Sequence, residues 1–214
     1  AEEIKSTGGR VSMRKMEDDS EFPYELNATF YGALSNKENP KLGEKRFLCS
    51  QAIALAMKGI PAVYFHSLCG TPNYDKGVKE TGQNRRINRR KWDREELDDL
   101  LKNQEKNSGG IFEWYTRVLR KRASCPAFHP DATQVILDFG KQVFALERKS
   151  VDGNQKILCL FNFSGEEVEI KKKEVVLTYF PNEKARDLIK GGELILEKGK
   201  LVMRPYQALW LCIN

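Results

Sequence analysis

The first half of the chain combines one helical pattern with one short apolar run. Residues 41–58 are rich in helix-forming side chains and carry apolar residues at helical spacing. Gly59 then provides a helix stop, and Pro61 lacks the backbone N–H that a continuing helix needs. The apolar run at 62–65 is typical of a fully buried parallel strand. Helix, tight turn and buried strand in this order predict one unit of a β/α barrel.

Two shorter helices are predicted beyond this unit. Asp93 and Glu96 have the spacing of a capping box, in which Asp93 accepts from free backbone donors and Glu96 reaches back. An apolar stripe favours a second helix that starts at Ser108 or just after it and runs through Arg122. Residues 1–40 show little periodicity, so an irregular loop is predicted there.

From Thr133 onward the pattern changes to the two-residue alternation that is typical of strands. Turn signals rich in glycine and asparagine separate the apolar runs. The strands are predicted at residues 134–137, 142–147, 156–161, 167–170, 194–196 and 208–211. This spacing predicts an antiparallel β domain over about residues 130–214.

Charge and hydropathy narrow the function classes. Lysine and arginine number 36 against 30 aspartate and glutamate, and the formal net charge is +6. The two signs are mixed along most of the chain and no nucleic-acid-binding motif is visible, which favours a solvated basic surface over a nucleic-acid partner. No apolar run is long enough for a transmembrane helix, and the N-terminus lacks the form of a signal peptide. A soluble, cytoplasmic protein without a membrane partner is expected.

The five cysteines are scattered along the chain and mostly lie among apolar neighbours. They form no CxxC pair, and their number is odd. These features favour reduced core residues over disulfides or zinc ligands. No group of carboxylates or histidines has the spacing of metal ligands, so neither a metal nor a cofactor is expected.

One segment departs from the mixing of charges. Between Lys79 and Lys91 six residues are basic and only Glu80 is acidic. The segment follows the predicted strand at 62–65, and loops at the carboxyl ends of barrel strands build the active sites of such folds. Arginine keeps its charge and presents a planar fork that matches phosphate and carboxylate oxygens. The segment is therefore the strongest candidate for a binding loop.

Five sequence blocks, taken in order, resemble a single family: residues 9–12, 23–27, 59–64, 77–89 and 125–131. The family is the sucrose phosphorylase and glucosylglycerate phosphorylase group of the α-amylase superfamily, glycoside hydrolase family 13. Residues 59–61 match a motif common throughout that superfamily, whereas the blocks at 84–89 and 125–131 are far more specific. The resemblance covers most of the chain.

The resemblance implies a fold class of α/β plus all-β. Residues 1–128 are expected to be the C-terminal part of a (β/α)8 barrel, comprising the loop after strand seven, a helix, strand eight, the arginine-rich loop and terminal helices. Residues 129–214 are expected to form a C-terminal antiparallel β-sheet domain.

The resemblance also implies a retaining glucoside phosphorylase. Such an enzyme cleaves sucrose, sucrose 6′-phosphate or glucosylglycerate with inorganic phosphate and releases α-glucose 1-phosphate; the sequence does not select among these substrates. One carboxylate attacks the anomeric carbon, a second protonates the leaving oxygen, and phosphate replaces water as the acceptor. The expected partners are a small sugar and inorganic phosphate.

The family's three catalytic carboxylates all precede the first matched block. This chain contains no His-Asp pair of the kind that carries the third of them. The chain is therefore expected to be a C-terminal fragment that holds no catalytic residue and is inactive by itself. An incomplete barrel exposes apolar surface and sheet edges, which predicts self-association.

The family's substrate-side positions fall on two loops. Tyr24 and Glu25 match the loop that borders the sugar and acceptor sites, and Arg85, Asn88 and Arg89 match the loop where an arginine contacts the glucosyl or phosphate site. These five are the candidate substrate-binding residues. A surface ion pair remains the alternative for Arg85, simple solvation for Glu25 and turn capping for Asn88.

Other conspicuous residues have structural interpretations. Arg86 and Arg90 are expected to be structural, because neighbouring loop residues do not all point inward. His66 follows the predicted strand and is either a satisfied buried histidine or a catalytic one, the former being favoured. The tryptophans are expected in the core: Trp92, Trp114 and Trp210. Residues 171–173 are expected to form a solvated turn.

Two other functions stay open at this point. One is an α-amylase-type hydrolase, in which water is the acceptor and Arg85 serves structure. The other is a non-catalytic carbohydrate-binding module formed by the β domain. The density of arginine favours the phosphorylase over the first, and the absence of a row of exposed aromatic residues disfavours the second.

Overall fold

A computed structural model describes residues 1–103, 107–170, 179–180, 184–196 and 200–213. The chain divides into two compact units, one of residues 1–47 and 63–115 and the other of residues 48–62 and 116–214. The domain boundary expected between residues 128 and 129 stays a prediction. The solvated turn expected at 171–173 lies outside the described residues.

The described residues form helices and strands with the following bounds. The α-helices are α1 (Glu2–Ser6), α2 (Phe30–Leu34), α3 (Pro40–Ala56), α4 (Phe65–Leu68), α5 (Asp75–Thr81), α6 (Arg94–Lys102) and α7 (Asn107–Ala123). Short 3-10 turns occur at Asn84–Asn88 and Pro126–Phe128. The strands are β1 (Arg10–Lys15), β2 (Glu21–Asn27), β3 (Thr133–Asp138), β4 (Val143–Lys149), β5 (Lys156–Asn162), β6 (Val168–Ile170), β7 (Lys184–Asp187), β8 (Glu193–Ile195), β9 (Leu201–Met203) and β10 (Ala208–Ile213).

The longer helices agree with the sequence pattern. Helix α3 occupies the region predicted at 41–58, and α7 covers the stripe predicted from Ser108 to Arg122. The Asp93 side chain accepts from the Glu96 backbone N–H at 3.1 Å, which confirms the N-cap of α6. The Glu96 carboxylate accepts instead from Arg90, so the return half of the capping box is replaced by an ion pair. No helix of the described residues has both the length and the apolarity that a membrane crossing requires.

The prediction of an irregular N-terminal loop is wrong. Strands β1 and β2 pair antiparallel as a hairpin, with Arg10 opposite Asn27 at one end and Lys15 opposite Glu21 at the other. Most of its side chains are at least partly exposed on both faces, so no buried–exposed alternation betrays the strands in the sequence.

The prediction of a buried parallel strand at 62–65 is also wrong. Residues 60–64 have no regular structure, and Phe65 begins α4. A strand is stabilised by the ladder of a neighbour, and every strand pair of the described residues is antiparallel and lies elsewhere. Tyr64 and Phe65 are 59% and 46% exposed, unlike residues of a buried strand. The barrel part of the fold class therefore remains an expectation.

The antiparallel β domain is confirmed in the second unit. Six strands form one sheet in the order β3-β4-β5-β10-β7-β8, and β6 pairs with β9 in a separate two-stranded sheet. Strand β5 is buried along nearly its whole length because β4 and β10 flank it. Apolar side chains from both sheets share one core cluster, which includes Leu158, Leu160, Phe180, Met203 and Leu211. Strands β7 and β9 were not predicted.

The expected core residues are largely confirmed. Trp114 and Trp210 are buried, whereas Trp92 is half-buried. None of the five cysteines, all of which lie in the described part of the chain, forms a disulfide; four are buried and Cys212 is half-buried. Burial raises the pKa of the Cys49 thiol to about 12, which keeps it in the protonated, unreactive form.

Candidate functional site

Tyr24 owes its position to a β-bulge in the hairpin. Ser12 lies opposite Glu25 and Met13 lies opposite Pro23, so Tyr24 is the extra residue on β2. A bulge turns its side chain away from the regular alternation, and such bulges commonly occur beside functional sites. The Tyr24 ring is 60% exposed and has the Arg14 guanidinium 5.8 Å from its centroid.

Glu25 and Arg85 meet although sixty residues separate them in sequence. Arg85 Nε donates to both carboxylate oxygens, at 3.0 and 3.2 Å, and Nη2 lies 3.0 Å from Oε1. The Arg85 side chain is 56% exposed and that of Glu25 is 32% exposed. The hydrogen bond and the charge of Glu25 raise the pKa of Arg85 further above its ordinary value. Arg85 is therefore a permanent cation, held by Glu25 near the open end of the β1–β2 hairpin.

The 3-10 turn that carries Arg85 is anchored from several sides. Ile87 is fully buried, and its carbonyl accepts from the Tyr74 backbone N–H at 2.9 Å. Asn88 Nδ2 donates to the Ala28 carbonyl at 3.4 Å, while the Asn88 carbonyl accepts from the Tyr64 hydroxyl at 3.4 Å. These contacts make Asn88 a link between the end of the hairpin and the turn, because its side chain bonds to a segment sixty residues away and not to its own turn.

The arginines that follow differ sharply from one another. Arg89 is exposed, and among the described residues its side chain has no carboxylate partner. Arg90 is paired with Glu96 and stacks 3.6 Å from the Trp92 ring centroid. These two contacts favour the structural interpretation of Arg90. The structure thus brings Tyr24, Glu25 and Arg85 together, whereas Arg89 lies exposed at the end of the turn.

A hydroxyl joins the arginine-rich segment to His66. Thr71 Oγ1 accepts from Trp92 Nε1 at 3.2 Å and lies 3.2 Å from His66 Nδ1. His66 is only 6% exposed, and burial, followed by the nearby charge of Arg90, lowers its pKa. These contacts favour the satisfied, uncharged histidine over a catalytic one. Sequence reasoning missed Thr71, because an isolated threonine carries no distinctive signal.

The site contains cationic and hydroxyl donors near the Glu25 carboxylate, and that carboxylate already accepts hydrogen bonds from Arg85. The described residues contain no group of three or more His, Cys, Asp or Glu that could hold a metal ion. A guanidinium that faces solvent on one side and a carboxylate on the other can bind an anion or the hydroxyls of a sugar. The arrangement therefore suits recognition of a polar or anionic ligand.

Comparison with known proteins finds one family model and several similar curated proteins. A family model described as amylosucrase, C-terminal domain, matches residues 135–212. The chain is 34% identical over 218 residues to glucosylglycerate phosphorylase of Spirochaeta thermophila, covering 98% of this chain and 37% of that protein. It is 30% identical over 211 residues to glucosylglycerate phosphorylase of Escherichia coli K12, covering 98% and 36%. The chain spans about a third of the length of these curated relatives.

A solved structure shares the fold. The crystal structure of sucrose 6F-phosphate phosphorylase from Thermoanaerobacter thermosaccharolyticum superposes with a TM-score of 0.61 at 23% sequence identity. The match covers 76% of this chain and 30% of that one. Similarity at this level of identity shows a common fold.

Proposed function

Because this chain matches the C-terminal portion of the sucrose phosphorylase and glucosylglycerate phosphorylase group of the α-amylase superfamily, we propose that it supplies substrate-binding loops to a retaining glucoside phosphorylase. The substrate is an α-glucoside such as sucrose, sucrose 6′-phosphate or glucosylglycerate. Phosphate is the acceptor, and α-glucose 1-phosphate is the product. The relatives named as glucosylglycerate phosphorylases support this class of reaction.

The observation that carries the proposal is the contact between Glu25 and Arg85. It joins the hairpin and the arginine-bearing turn, the two segments expected to border the substrate, at distances of 3.0 to 3.2 Å. In this proposal Arg85 binds the oxygens of the sugar or of phosphate, and Glu25 holds the guanidinium in place. Arg89 adds a second cation, and Tyr24 provides an exposed ring against which a sugar can pack.

The carboxylates of the two-step mechanism are proposed to lie outside this chain. One attacks the anomeric carbon and another protonates the leaving oxygen, after which phosphate attacks the glycosyl-enzyme and releases the nucleophile. Glu25 is not a candidate for either task, because both of its oxygens accept from Arg85. The 214-residue chain is therefore expected to bind ligand without catalysing turnover.

The test is release of glucose 1-phosphate by a full-length phosphorylase that carries this chain as its C-terminal portion. Arg85→Ala is expected to lower phosphate-dependent release by about tenfold or more, because charge-assisted hydrogen bonds are lost. The matched control is Arg94→Ala, since Arg94 is a 93% exposed arginine on the first turn of α6. The 214-residue chain is assayed alongside.

Three results would contradict the proposal. Sugar release that does not depend on phosphate would identify a hydrolase instead. An equal response to Arg85→Ala and Arg94→Ala would remove Arg85 from the substrate site. Turnover by the 214-residue chain alone would show that the catalytic carboxylates lie within it. A panel of sucrose, sucrose 6′-phosphate and glucosylglycerate then identifies the preferred substrate.

A further inference from the structure

The first unit contains an open cleft that the proposed function does not use. It lies between the end of α1, the Gly8–Gly9 turn, the start of β1 and helix α5, and has a volume of about 680 Å³. Asn84 of the arginine-bearing turn forms part of its wall, whereas neither Glu25 nor Arg85 lines it. A volume of this size is typical of small-molecule sites.

The walls of the cleft carry an excess of positive charge. Lys5, Arg10 and Lys79 line it, and Asp75 is its single carboxylate. Arg10 Nη2 lies 3.2 Å from Asp75 Oδ1, so that pair is internally neutralised. Lys5 and Lys79 have no carboxylate partner within the described part of the chain. Two lysines without a carboxylate partner among the described residues therefore line one concave space.

Gly8 and Gly9 line the cleft with backbone atoms and place no side chain in it. Gly8 has a φ of +85°, which side chains rarely tolerate, and a Cβ on Gly9 would lie 2.5 Å from Ile4 Cγ2. Lys37 Nζ lies 3.8 Å from the position that a Gly8 Cβ would occupy. A third ammonium group thus lies beside this wall, and substitution of either glycine would disturb it.

Hydrogen bonds connect Asn84, which lines the cleft, to the β1–β2 hairpin. Asn84 Nδ2 donates to Ser12 Oγ at 3.5 Å, and Asn27 Nδ2 donates to the same hydroxyl at 2.9 Å. Ser12 is paired with Glu25 across β1 and β2. The cleft and the Glu25–Arg85 contact are consequently neighbours on one hairpin, with Asn84 and Ser12 between them.

From this arrangement we propose that the cleft is a second anion site, which binds inorganic phosphate or a phosphorylated sugar through Lys5 and Lys79. Ammonium groups are compact point charges that bind phosphate oxygens well and add little affinity for an uncharged sugar. The site is separate from the Arg85 site of the proposed function, and its existence does not depend on that function.

Isothermal titration of the 214-residue chain tests the site. Inorganic phosphate, glucose 1-phosphate and glucose are titrated at one constant ionic strength, because screening alone changes such binding. Saturable binding of phosphate or glucose 1-phosphate, and none of glucose, is expected. Tighter binding of glucose 1-phosphate than of phosphate assigns a sugar phosphate as the occupant, and the reverse order assigns free phosphate.

The variants locate the binding. The double change Lys5→Gln with Lys79→Gln is expected to weaken the apparent affinity by about tenfold or more, since charge-assisted contacts are lost. Lys76→Gln is the matched control, because Lys76 is also an exposed lysine of α5 but pairs with Glu80 and does not line the cleft. Circular dichroism of each variant checks that the fold is kept.

The outcomes separate this site from the proposed function. Absence of saturable binding would refute the proposed anion site. Equal weakening of binding by Lys76→Gln and by the double change would also refute it. Binding that is abolished by Arg85→Gln and unaffected by the double change also overturns it, while agreeing with the proposed substrate loop. Failure of the full-length enzyme to use phosphate would refute the proposed function and leave the titration unaffected.

Discussion

The two units use arginine in opposite ways. In the second unit Arg148 is fully buried, yet its donors reach carbonyl oxygens instead of a carboxylate. It donates to Ala56 at 2.8 Å, to His129 at 3.0 Å and to Thr133 at 3.2 Å. Arg122 likewise donates to the carbonyls of Leu55 and Gly59, both at 2.8 Å. Burial lowers the pKa of each guanidinium.

In the first unit Arg85, which lies in the 3-10 turn, and Arg89, which follows it, keep donors available. The Arg85 side chain contacts one carboxylate, that of Glu25, and is more than half exposed. Arg89, four residues later, is also exposed. A guanidinium has five N–H donors, and what accepts them decides its role. Backbone carbonyls do not move away, so Arg122 and Arg148 are fixed parts of the fold. Glu25 contacts Arg85 through Nε and Nη2 only, so the other donors of this more than half exposed guanidinium can bind a ligand.

The largest effect is expected for Arg148→Lys. Lysine keeps the charge but does not reach three separated carbonyls, so buried acceptors lose their donors. We expect a loss of about 3 kcal/mol or more in the free energy of unfolding, because hydrogen bonds to charged groups contribute roughly 1.5–3 kcal/mol each. Urea denaturation measures it. The control is Arg120→Lys, which changes an exposed arginine of α7; an equal effect at both positions would contradict the comparison.

A smaller loss is expected for Arg122→Gln. This side chain ties the end of α7 to the last turn of α3 and to Gly59 through two hydrogen bonds. Arg122 is half-buried, so water can replace part of the lost hydrogen bonding. We expect the free energy of unfolding to decrease by about 2 kcal/mol. Arg120→Gln is the matched control on the same helix. A loss larger than that of Arg148→Lys would reverse the order that burial predicts.

The strands of the second unit show what could be predicted from sequence. Strands β4 and β5 follow clear apolar runs and were predicted within a residue or two. Strand β7 was missed because one of its two buried positions is Asp187. That carboxylate accepts from the backbone N–H groups of Ile189 at 2.9 Å and Lys190 at 3.4 Å. Its hydrogen-bonding capacity is therefore satisfied although the residue is buried in the β domain. Hydrophobic alternation does not detect such a position.

The candidate site was less accessible to sequence reasoning. The arginine-rich composition indicated a binding segment, and the family resemblance named Glu25 and Arg85. Their direct contact joins two segments sixty residues apart, and no local pattern encodes such a pairing. Lys5 and Lys79 lie more than seventy residues apart in sequence, and both line one cleft in the first unit. Tertiary packing alone reveals both arrangements.

His66 provides a pH-dependent test within the first unit. Its pKa in the folded protein is lowered from 6.5, by burial first and by Arg90 second. The unfolded chain therefore binds more protons as the pH falls through about 6.5, and the free energy of unfolding decreases in that window. His66→Gln should flatten this part of the curve, with a smaller overall effect than either change in the buried arginines.

Thermal unfolding between pH 7.5 and pH 5 measures the His66 effect, these limits being set about one unit or more on either side of the ordinary histidine value. His129→Gln is the control, because His129 is an exposed histidine near Asp131. The Thr71 hydroxyl and the rings of Tyr64 and Phe65 also contact His66. A curve that is unchanged by His66→Gln, or flattened equally by His129→Gln, would refute the assignment.

The smallest effect on stability is expected where the effect on function is expected to be largest. Arg85→Gln removes an exposed ion pair, and such pairs contribute little because water solvates both partners. Urea denaturation should show no resolvable change, and neither should Glu25→Gln. Protection by sucrose, an uncharged α-glucoside, should nevertheless be lost, since the Arg85 guanidinium is its proposed contact and the Lys5–Lys79 cleft is proposed to bind anions. If Arg85→Gln destabilised the first unit as strongly as Arg148→Lys destabilises the second, Arg85 would be a structural residue and the contrast between the two units would fail.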